Sequence, residues 1–386
     1  MSIVGVAGRS LLLAIAFGGC IDFAGPSAVG PPTTPTISVG PEFTCSVIRD
    51  GHTLCWGHNE RGQLGIGTTD DHSLPQLIGD GVVFAAVDVG ESGGCALTTF
   101  GATQCWGPYF SASVPSELRT PQALVAVVAG GTAGCGLDAT RVAWCWGVNT
   151  FGQVGSGDVI NHEVAVKVAG GRTFSSITAG LLHACALTDA GEAWCWGHNL
   201  DSELGTGTAV NSLVPVQVSG GSVFKSISAG GGYTCGIAKD DSAYCWGSNA
   251  AGQLGVGDTE RRLTPAKVLG GLTFASIQAG KGNSTLLPTC GVTLAGDAYC
   301  WGYNEYAQLG ASTSETCVYR GTPTPCATTP IRVTGLGKVT SIGGSTRHSC
   351  AVTTDKQIYC WGDNARGELG NGSTRASSVP VKVLMP

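Results

Sequence analysis

Charged residues are scarce in this chain, at 12% of 386 residues, and the net charge is −6. No cluster of Lys and Arg stands out beyond the "ERR" at 260–262. Nucleic-acid-binding surfaces need concentrated positive charge, so the composition predicts no nucleic-acid partner. Sustained helical periodicity is also lacking, and 61 Gly residues interrupt the chain. These two features predict an all-β protein rich in turns.

The motifs that commonly carry enzyme chemistry are missing as well. The chain contains no H-E-x-x-H and no G-x-x-x-x-G-K-[ST], and its Gly pairs never complete G-x-G-x-x-G. The S-x-x-K match at Ser222–Lys225 has the counterparts "RTFS" and "LTFA" in neighbouring units, which indicates an ordinary linker. Asp158 and Asp258 stand alone and do not make a calcium site. The sequence therefore predicts no catalytic residue, no metal site and no cofactor.

Cysteine, in contrast, is abundant and regularly placed. Seven Cys pairs are ten residues apart, and the second Cys of each pair opens the tripeptide Cys-Trp-Gly. Successive tripeptides are 50, 40, 50, 50, 55 and 60 residues apart. A period of about 50 residues is typical of propellers and solenoids. The pairs are Cys45 with Cys55, Cys95 with Cys105, Cys135 with Cys145, Cys185 with Cys195, Cys235 with Cys245, Cys290 with Cys300, and Cys350 with Cys360.

One repeat contains four short β-type runs, which we label a to d. In the fourth unit they are "FSSITAG", "HACALT", "EAWCWG" and "VPVQV", and "TDAG" suits a hairpin turn between b and c. A hairpin that sets Leu187 opposite Ala193 also sets Cys185 opposite Cys195. Seven such units predict a seven-bladed β-propeller of four-stranded antiparallel blades over residues 37–386. If each blade takes strand d from the preceding unit, the last strand would complete the first blade and close the ring.

The first 36 residues differ from the repeats. Residues 1–20 carry a short apolar run before Cys20, which predicts a lipoprotein-type export signal with Cys20 as the lipidated residue. Residues 21–36 are rich in Pro, Gly and Thr and predict a linker. In an exported chain the seven pairs, and Cys317 with Cys326, are expected to form disulfides. The alternatives are small buried apolar Cys residues or, less favoured by the spacing, a zinc site.

Units such as "HACALTDAGEAWCWGHNLDSELGTG", with the "GQLGxG" tail at Gly62–Gly67 and Gly252–Gly257, resemble the regulator of chromosome condensation repeat family. The resemblance covers residues 37–386 and implies a seven-bladed propeller. The Cys pairs are typical of exported, bacterial members of that family. Its nuclear members exchange guanine nucleotides on a small GTPase and bind nucleosomes, whereas an exported bacterial member inhibits a β-lactamase. The fold alone does not choose between these functions.

Length variation among the repeats indicates a binding face. Insertions at 281–289 and 311–329 lengthen the a–b and c–d loops of the sixth unit, and the c–d loop of the second unit is about ten residues short. In an antiparallel blade these loops emerge on the same face, where variable loops often carry binding. The alternative is neutral variation of surface loops. Aromatic and Arg residues in these loops are the predicted binding residues: Tyr303, Tyr306, Tyr319 and Arg320 as exposed anchors, and Tyr109, Phe110 and Arg119 beside a recess.

The sequence thus predicts a monomeric, exported scaffold that binds an unknown protein or glycan at the cell surface and touches the membrane only through a lipid anchor. Three alternatives stay open. They are guanine-nucleotide exchange or chromatin binding, inhibition of a secreted hydrolase, and a propeller lyase with His or carboxylates on the channel rim. His183 and His348, two positions before the first Cys of their pairs, are predicted to be structural, as are the Trp residues of the Cys-Trp-Gly tripeptides.

Overall fold

The structure is a computed structural model that describes residues 32–91 and 93–386. This part of the chain is all-β, with seven antiparallel sheets arranged as the blades of a propeller. One 3-10 turn, Pro108–Phe110, is its one helical element. A search of the described residues finds no helix with the length and apolar character needed to cross a membrane. The expected export signal, Cys20 and most of the linker lie outside the described residues.

The first four blades each use one repeat, with strands a, b, c and d in chain order. Blade 1 comprises β1 Thr36–Val39, β2 Phe43–Val47, β3 Thr53–Gly57 and β4 His72–Leu77. Blade 2 comprises β5 Phe84–Val89, β6 Gly94–Thr98, β7 Thr103–Gly107 and β8 Ala112–Glu117. Blade 3 comprises β9 Leu124–Ala129, β10 Ala133–Asp138, β11 Ala143–Gly147 and β12 His162–Lys167. Blade 4 comprises β13 Ser176–Ala179, β14 His183–Leu187, β15 Ala193–Gly197 and β16 Ser212–Gln217.

The last three blades follow the same plan, except that blade 6 has a fifth strand. Blade 5 comprises β17 Phe224–Ala229, β18 Tyr233–Ala238, β19 Ala243–Gly247 and β20 Arg262–Lys267. Blade 6 comprises β21 Phe274–Ala279, β22 Pro288–Thr293, β23 Ala298–Tyr303, β24 Thr316–Tyr319 and β25 Thr322–Arg332. Blade 7 comprises β26 Val339–Gly344, β27 His348–Thr353, β28 Ile358–Gly362 and β29 Ser377–Lys382.

The ring closes without strand exchange, so the hypothesis that strand d passes to the neighbouring blade is wrong. Each strand d pairs with strand c of its own repeat, as β29 does with β28. The c–d connections are long enough for d to return to its own blade, and the two strands then pair from Gly362 to Tyr359 across a bulge. The last strand therefore completes blade 7 and not blade 1.

Side chains join the first and last blades instead. The Thr44 hydroxyl in blade 1 lies 2.7 Å from His348 Nε2 in blade 7. The indole N–H of Trp56 donates to the carbonyl of Glu368, at 2.9 Å, and both groups are buried. Thr234 and His183 make the same contact as Thr44 and His348, at 2.8 Å, between blades 5 and 4. Ring closure therefore reuses an ordinary interface between neighbouring blades.

The predicted hairpin register is confirmed in every repeat. In blade 4, Cys185 pairs with Cys195 and Leu187 with Ala193, and Gly191 has a φ of +83° at the end of the turn. The same register in all seven blades sets the two Cys residues of each repeat opposite one another. The cross-strand partners are Cys45 with Cys55, Cys95 with Cys105, Cys135 with Cys145, Cys185 with Cys195, Cys235 with Cys245, Cys290 with Cys300, and Cys350 with Cys360.

All of these Cys pairs form disulfides, as predicted. The Cα atoms of each blade pair are 4.0 to 4.2 Å apart. An eighth disulfide joins Cys317 to Cys326. The alternatives of unpaired apolar Cys residues and of a zinc site are therefore wrong for these sixteen residues, since every sulfur is bonded to another sulfur. Complete pairing of the described Cys residues indicates an oxidising, extracytoplasmic environment.

The core lies between the blades and is built on the Cys-Trp-Gly tripeptide. All seven of its Trp side chains are buried. The Gly that follows each Trp has a φ of +100° to +113°. At Gly197 an added Cβ would stand 2.6 Å from the carbonyl oxygen of Leu182, so the strand can pass the neighbouring loop only with Gly at this position. The tripeptide is therefore a structural motif, as predicted.

Candidate binding face

The a–b and c–d loops share one face of the propeller, which we call the insertion face. The Gln308 side chain in the c–d loop of blade 6 donates to the Thr346 carbonyl in the a–b loop of blade 7, at 2.8 Å. On the opposite face, Gly191 of a b–c turn accepts a hydrogen bond from Phe224 at the start of the next strand a. Both insertions of blade 6 and the short connection of blade 2 therefore lie on the insertion face.

The longer insertion projects as a two-stranded hairpin, β24 and β25. Its turn consists of Arg320 and Gly321, whose φ angles of +49° and +82° fit the two-residue turns that match strand twist. The Arg320 guanidinium lies 5.2 Å from the centre of the Tyr319 ring, and Val318 beside it is 66% exposed. The Cys317–Cys326 disulfide fixes the hairpin base. This tip presents a cation and an aromatic ring together, and both are residue types favoured at interfaces.

The other two predicted anchors of blade 6 are placed differently. Tyr303 is only 6% exposed, so the prediction that it is an exposed anchor is wrong. It pairs with Cys326 in the long strand β25, which covers it, and its hydroxyl donates to Glu305. Burial and the neighbouring Glu305 carboxylate raise its pKa. Tyr306 is half-buried beneath the guanidinium of Arg347, which lies 4.8 Å from the ring centre.

A recess is present beside the short c–d connection of blade 2, as the sequence predicts. Four residues, 108–111, join strands c and d here, whereas blade 4 uses fourteen, 198–211. The result is a cavity of about 590 Å³ between blades 2 and 3, and Tyr109, Phe110 and Arg119 line it. Tyr109 stands where the other six repeats have the Asn of Trp-Gly-x-Asn. Burial and the nearby Glu91 raise the pKa of the Tyr109 hydroxyl, so it is a neutral hydrogen-bonding group.

In the other six blades the longer c–d connection contains a segment that we call the tail. It is Gly62–Gly67 in blade 1, and blades 3 to 7 have equivalent segments. Asn59 shapes this tail, because its side-chain oxygen accepts from Leu64 N–H and its amide donates to the Thr68 carbonyl. Gln63 Oε1 accepts the N–H of Arg61 and tightens the turn. The Asn residues of blades 4 and 5 make the same pair of contacts in their own tails. Blade 2 has neither the Asn nor the tail.

The shorter insertion sends a side chain across the central channel, a contact that sequence reasoning missed. Lys281 Nζ lies 2.7 Å from each carboxylate oxygen of Asp88 and 3.0 Å from the Val89 carbonyl. Asp88 also accepts from the Ser38 hydroxyl and from Ala129 N–H. Lys281 is in blade 6 and Asp88 in blade 2, so one ion pair ties distant parts of the ring together. The only signal for this contact in the sequence is that Asp88 stands one residue before the end of strand a, where the other six repeats have an uncharged residue.

We expect Lys281→Met to lower the free energy of unfolding by about 2 kcal/mol, because the part-buried Asp88 carboxylate would lose its cation. Chemical denaturation with the disulfides intact would measure the change. Lys338→Met is the matched control, since Lys338 pairs with Asp297 at the surface and exposed ion pairs contribute little to stability. Equal effects of the two substitutions would show that the channel pair does not brace the ring.

The two His residues singled out in the sequence have structural positions. His183 and His348 are both buried against Thr hydroxyls of the next blade. Burial lowers the pKa of His183 to about 4 and that of His348 to about 3, so both are neutral at pH 7. Neither side chain is exposed on a channel rim, where a lyase would need it. The described residues contain no group of three or more His, Cys, Asp or Glu side chains arranged for a metal ion.

The structure defines a seven-bladed β-propeller in which each repeat builds one blade and a disulfide joins the two middle strands. The chain belongs to the RCC1-like domain family, whose model matches residues 108–385. The model of the regulator of chromosome condensation (RCC1) repeat matches residues 50–97 as well. The resemblance seen in the repeats is therefore confirmed as family membership.

Relatives of known identity match short stretches of the chain. The human E3 ubiquitin-protein ligase HERC2 is 36% identical over 91 residues, which are 23% of this chain and 2% of that protein. The ultraviolet-B receptor UVR8 of Arabidopsis thaliana is 30% identical over 100 residues, 25% of this chain and 20% of the receptor. The matched segment thus spans at most a fifth of the length of these two relatives.

Solved structures show the same fold over most of the chain. Prp20p of Saccharomyces cerevisiae, studied for its binding to Gsp1p and histones, superposes with a TM-score of 0.75 at 19% identity, covering 90% of this chain and 87% of Prp20p. Human WBSCR16 has a TM-score of 0.73 at 18% identity, with 87% and 94% coverage. At these identities the likeness establishes the propeller and not a shared partner.

Proposed function

We propose that this protein is a non-enzymatic, extracytoplasmic scaffold that binds a macromolecular partner through its insertion face. The observation that carries the proposal is the concentration of irregular features on that face. The Tyr319/Arg320 hairpin and the recess beside Tyr109 both depart from the repeat, and they do so on the same side of the ring. A rigid ring that varies mainly in the loops of one face is typical of a binding protein.

The disulfides support the location. Sixteen described Cys residues are paired, and disulfides persist in oxidising compartments. We propose that Cys20 is lipidated and that the chain is held at a cell surface, with a protein or glycan as partner. The intact mass of natively produced protein tests this step, since a lipid on Cys20 and no free thiol would support it. Sixteen free thiols and an uncleaved N-terminus would instead favour intracellular nucleotide exchange.

A direct test of the face compares two tips that point in opposite directions. We expect the double substitution Tyr319→Ser/Arg320→Ser to weaken partner capture by at least tenfold, because interface aromatic and Arg residues are frequent binding hot spots. Phe100→Ser is the matched control, since Phe100 is 93% exposed in a b–c turn of the opposite face. Capture would be measured by quantitative cross-linking at the cell surface. Loss of capture with Phe100→Ser alone would move the site to the other face.

Inhibition of a secreted hydrolase is a special case of the same binding mode. It would place the hairpin tip or the recess against the enzyme, and assays with purified secreted hydrolases would detect it. The structure gives less support to a lyase, because Asp88 in the channel is held by Lys281 and the buried His183 and His348 contact Thr side chains.

A further inference from the structure

One buried donor at the recess has no partner. The indole N–H of Trp146 makes no hydrogen bond within the described residues, although the side chain is only 1% exposed and lines the cavity. Trp146 belongs to blade 3, and the blade before it has no tail. In the other six blades this N–H donates to a backbone carbonyl in the tail of the preceding blade. The pairs are Trp56 with Glu368, Trp106 with Gln63, Trp196 with Gln153, Trp246 with Glu203, Trp301 with Gln253 and Trp361 with Gln308.

The missing tail also leaves an apolar space unfilled. In each of the six tails the residue after the accepting carbonyl is Leu or Val, and its side chain is fully buried. These residues are Leu64, Val154, Leu204, Leu254, Leu309 and Leu369. At blade 2 the corresponding space is the recess, whose walls include Trp106, Leu118 and Phe110. A vacant apolar pocket with one unpaired donor is complementary to an aliphatic side chain beside a carbonyl.

A third contact sets the direction of the chain that fits there. In five tails the N–H four residues after the accepting carbonyl donates to a carbonyl in strand d of the next blade, near the start of that strand except in blade 6. These bonds are Gly67 to Ser113, Gly157 to Leu213, Gly207 to Leu263, Gly257 to Thr328 and Gly372 to Ser73. Glu163 holds the equivalent position at the start of strand d in blade 3, and it lines the cavity. The recess thus offers a partner for three contacts that a tail makes: the indole donor, the apolar space and a carbonyl of strand d.

We propose that the recess between blades 2 and 3 binds a peptide turn of a partner protein, which takes the place of the missing tail. The carbonyl of the turn accepts from Trp146 Nε1, the next residue is Leu or Val and fills the cavity, and an N–H three residues further on donates to the Glu163 carbonyl. The inference rests on the proposed function of the insertion face and specifies its partner as polypeptide. A saccharide offers hydroxyl groups but no aliphatic side chain of this size. Tyr109 and Arg119 at the rim would contact the flanking residues.

A synthetic peptide that copies residues 59–68, "NERGQLGIGT", is the probe. It contains the Asn whose side chain closes the tail on itself. We expect it to bind the full chain one to one in isothermal titration and to shift the Trp146 indole signal in NMR spectra, which the Trp146→Phe variant identifies. A peptide with Asp in place of its Leu should bind at least tenfold more weakly, since the burial of a Leu side chain is lost. Trp146→Phe should weaken binding roughly fivefold.

A variant with a restored tail is the decisive control. Replacing residues 108–111 by the sequence of 198–211 should fill the recess from within, abolish peptide binding and keep the fold, as judged from thermal unfolding. Three results would each overturn the proposal. They are equal binding of the peptide by this variant and by the parent chain, no binding of the peptide to the parent chain at millimolar concentration, and a shift of the Trp146 signal produced by saccharides alone. The Tyr319→Ser/Arg320→Ser variant should bind the peptide as the parent does. A failure at the hairpin and a failure at the recess are therefore distinguishable.

Discussion

Refolded with its disulfides reduced, this protein should lose most of its stability, and we expect no cooperative unfolding transition above about 37 °C. Each blade disulfide closes a hairpin of about eleven residues, such as Cys185–Cys195, and is worth up to about 2.7 kcal/mol in the chain-entropy model. The hairpin already restricts the unfolded chain, so each contribution is smaller. Seven of them still compare with the whole stability of a domain, about 5–15 kcal/mol. The measurement is circular dichroism against temperature after reduction in denaturant and refolding with reductant.

Two double substitutions of Cys by Ala distinguish the contribution of a blade disulfide to stability from that of the disulfide in the insertion. Cys185→Ala/Cys195→Ala should lower the free energy of unfolding by about 2 kcal/mol, because both sulfurs are buried in the middle strands of a blade. Cys317→Ala/Cys326→Ala should change it by less than about 1 kcal/mol, since this pair closes a hairpin that the other six blades lack. A reduced protein that unfolds within about 5 °C of the oxidised one would show that packing alone holds the ring.

The elements that could be predicted from sequence are those fixed by local geometry. Cys185 and Cys195 had to be cross-strand neighbours once a short turn joined their strands, and the register confirms it. The blade count followed from the repeats, and the face of the insertions followed from the alternation of loops along antiparallel strands. The recess beside Tyr109 was also predictable, because a connection ten residues shorter than its counterpart in blade 4 must leave that space empty.

The features that were missed depend on which segments the closed ring brings together. Tyr303 was expected to be exposed, but β25 extends far enough to cover it, and the length of that strand is not evident from the sequence. Lys281 and Asp88 are 193 residues apart and meet only because blades 6 and 2 face the same channel. The unpaired Trp146 becomes visible only when the six other indoles are seen to donate to the preceding tail.

The second large effect on the free energy of unfolding is expected at the buried carboxyl group of Glu368, in the tail of blade 7. Four of the six tails have Gln at this position, and Glu203, the other acid, contacts His198. The residue that corresponds to His198 in blade 7 is Asp363, so Glu368 has a neighbour of like charge. Burial, with Asp363 and Glu42 nearby, raises the pKa of Glu368 from 4.5 to about 7. One of its oxygens, Oε1, has no hydrogen-bond partner among the described residues.

We therefore expect Glu368→Gln to raise the free energy of unfolding at pH 8 by about 3 kcal/mol and to change little at pH 4.5. Between these values the unfolded chain releases the Glu368 proton while the folded chain keeps it, so the wild type loses stability as the pH rises. The amide would keep the contact to Arg366 N–H, as Gln63 does with Arg61 N–H. Guanidinium denaturation across this pH range, with the disulfides intact, measures the difference. An unchanged gap between variant and wild type from pH 4.5 to 8 would contradict the buried neutral carboxyl.

In the same experiment the two buried His residues change the free energy of unfolding with pH in the direction opposite to that of Glu368. The folded pKa values of His183 and His348, about 4 and about 3, lie below the ordinary value of 6.5. The unfolded chain therefore takes up these protons first, and stability falls as the pH drops below 6.5. In the wild type, protonation of Glu368 on acidification raises stability over a pH range that overlaps the range in which the His residues lower it. The two effects therefore offset one another. Glu368→Gln removes the gain, so the variant should lose stability more steeply than the wild type from about pH 6.5 to 4.5. Blade 1 has Phe43 at the position that corresponds to His348. Adding His348→Phe to the Glu368→Gln variant should therefore make the loss of stability with falling pH less steep.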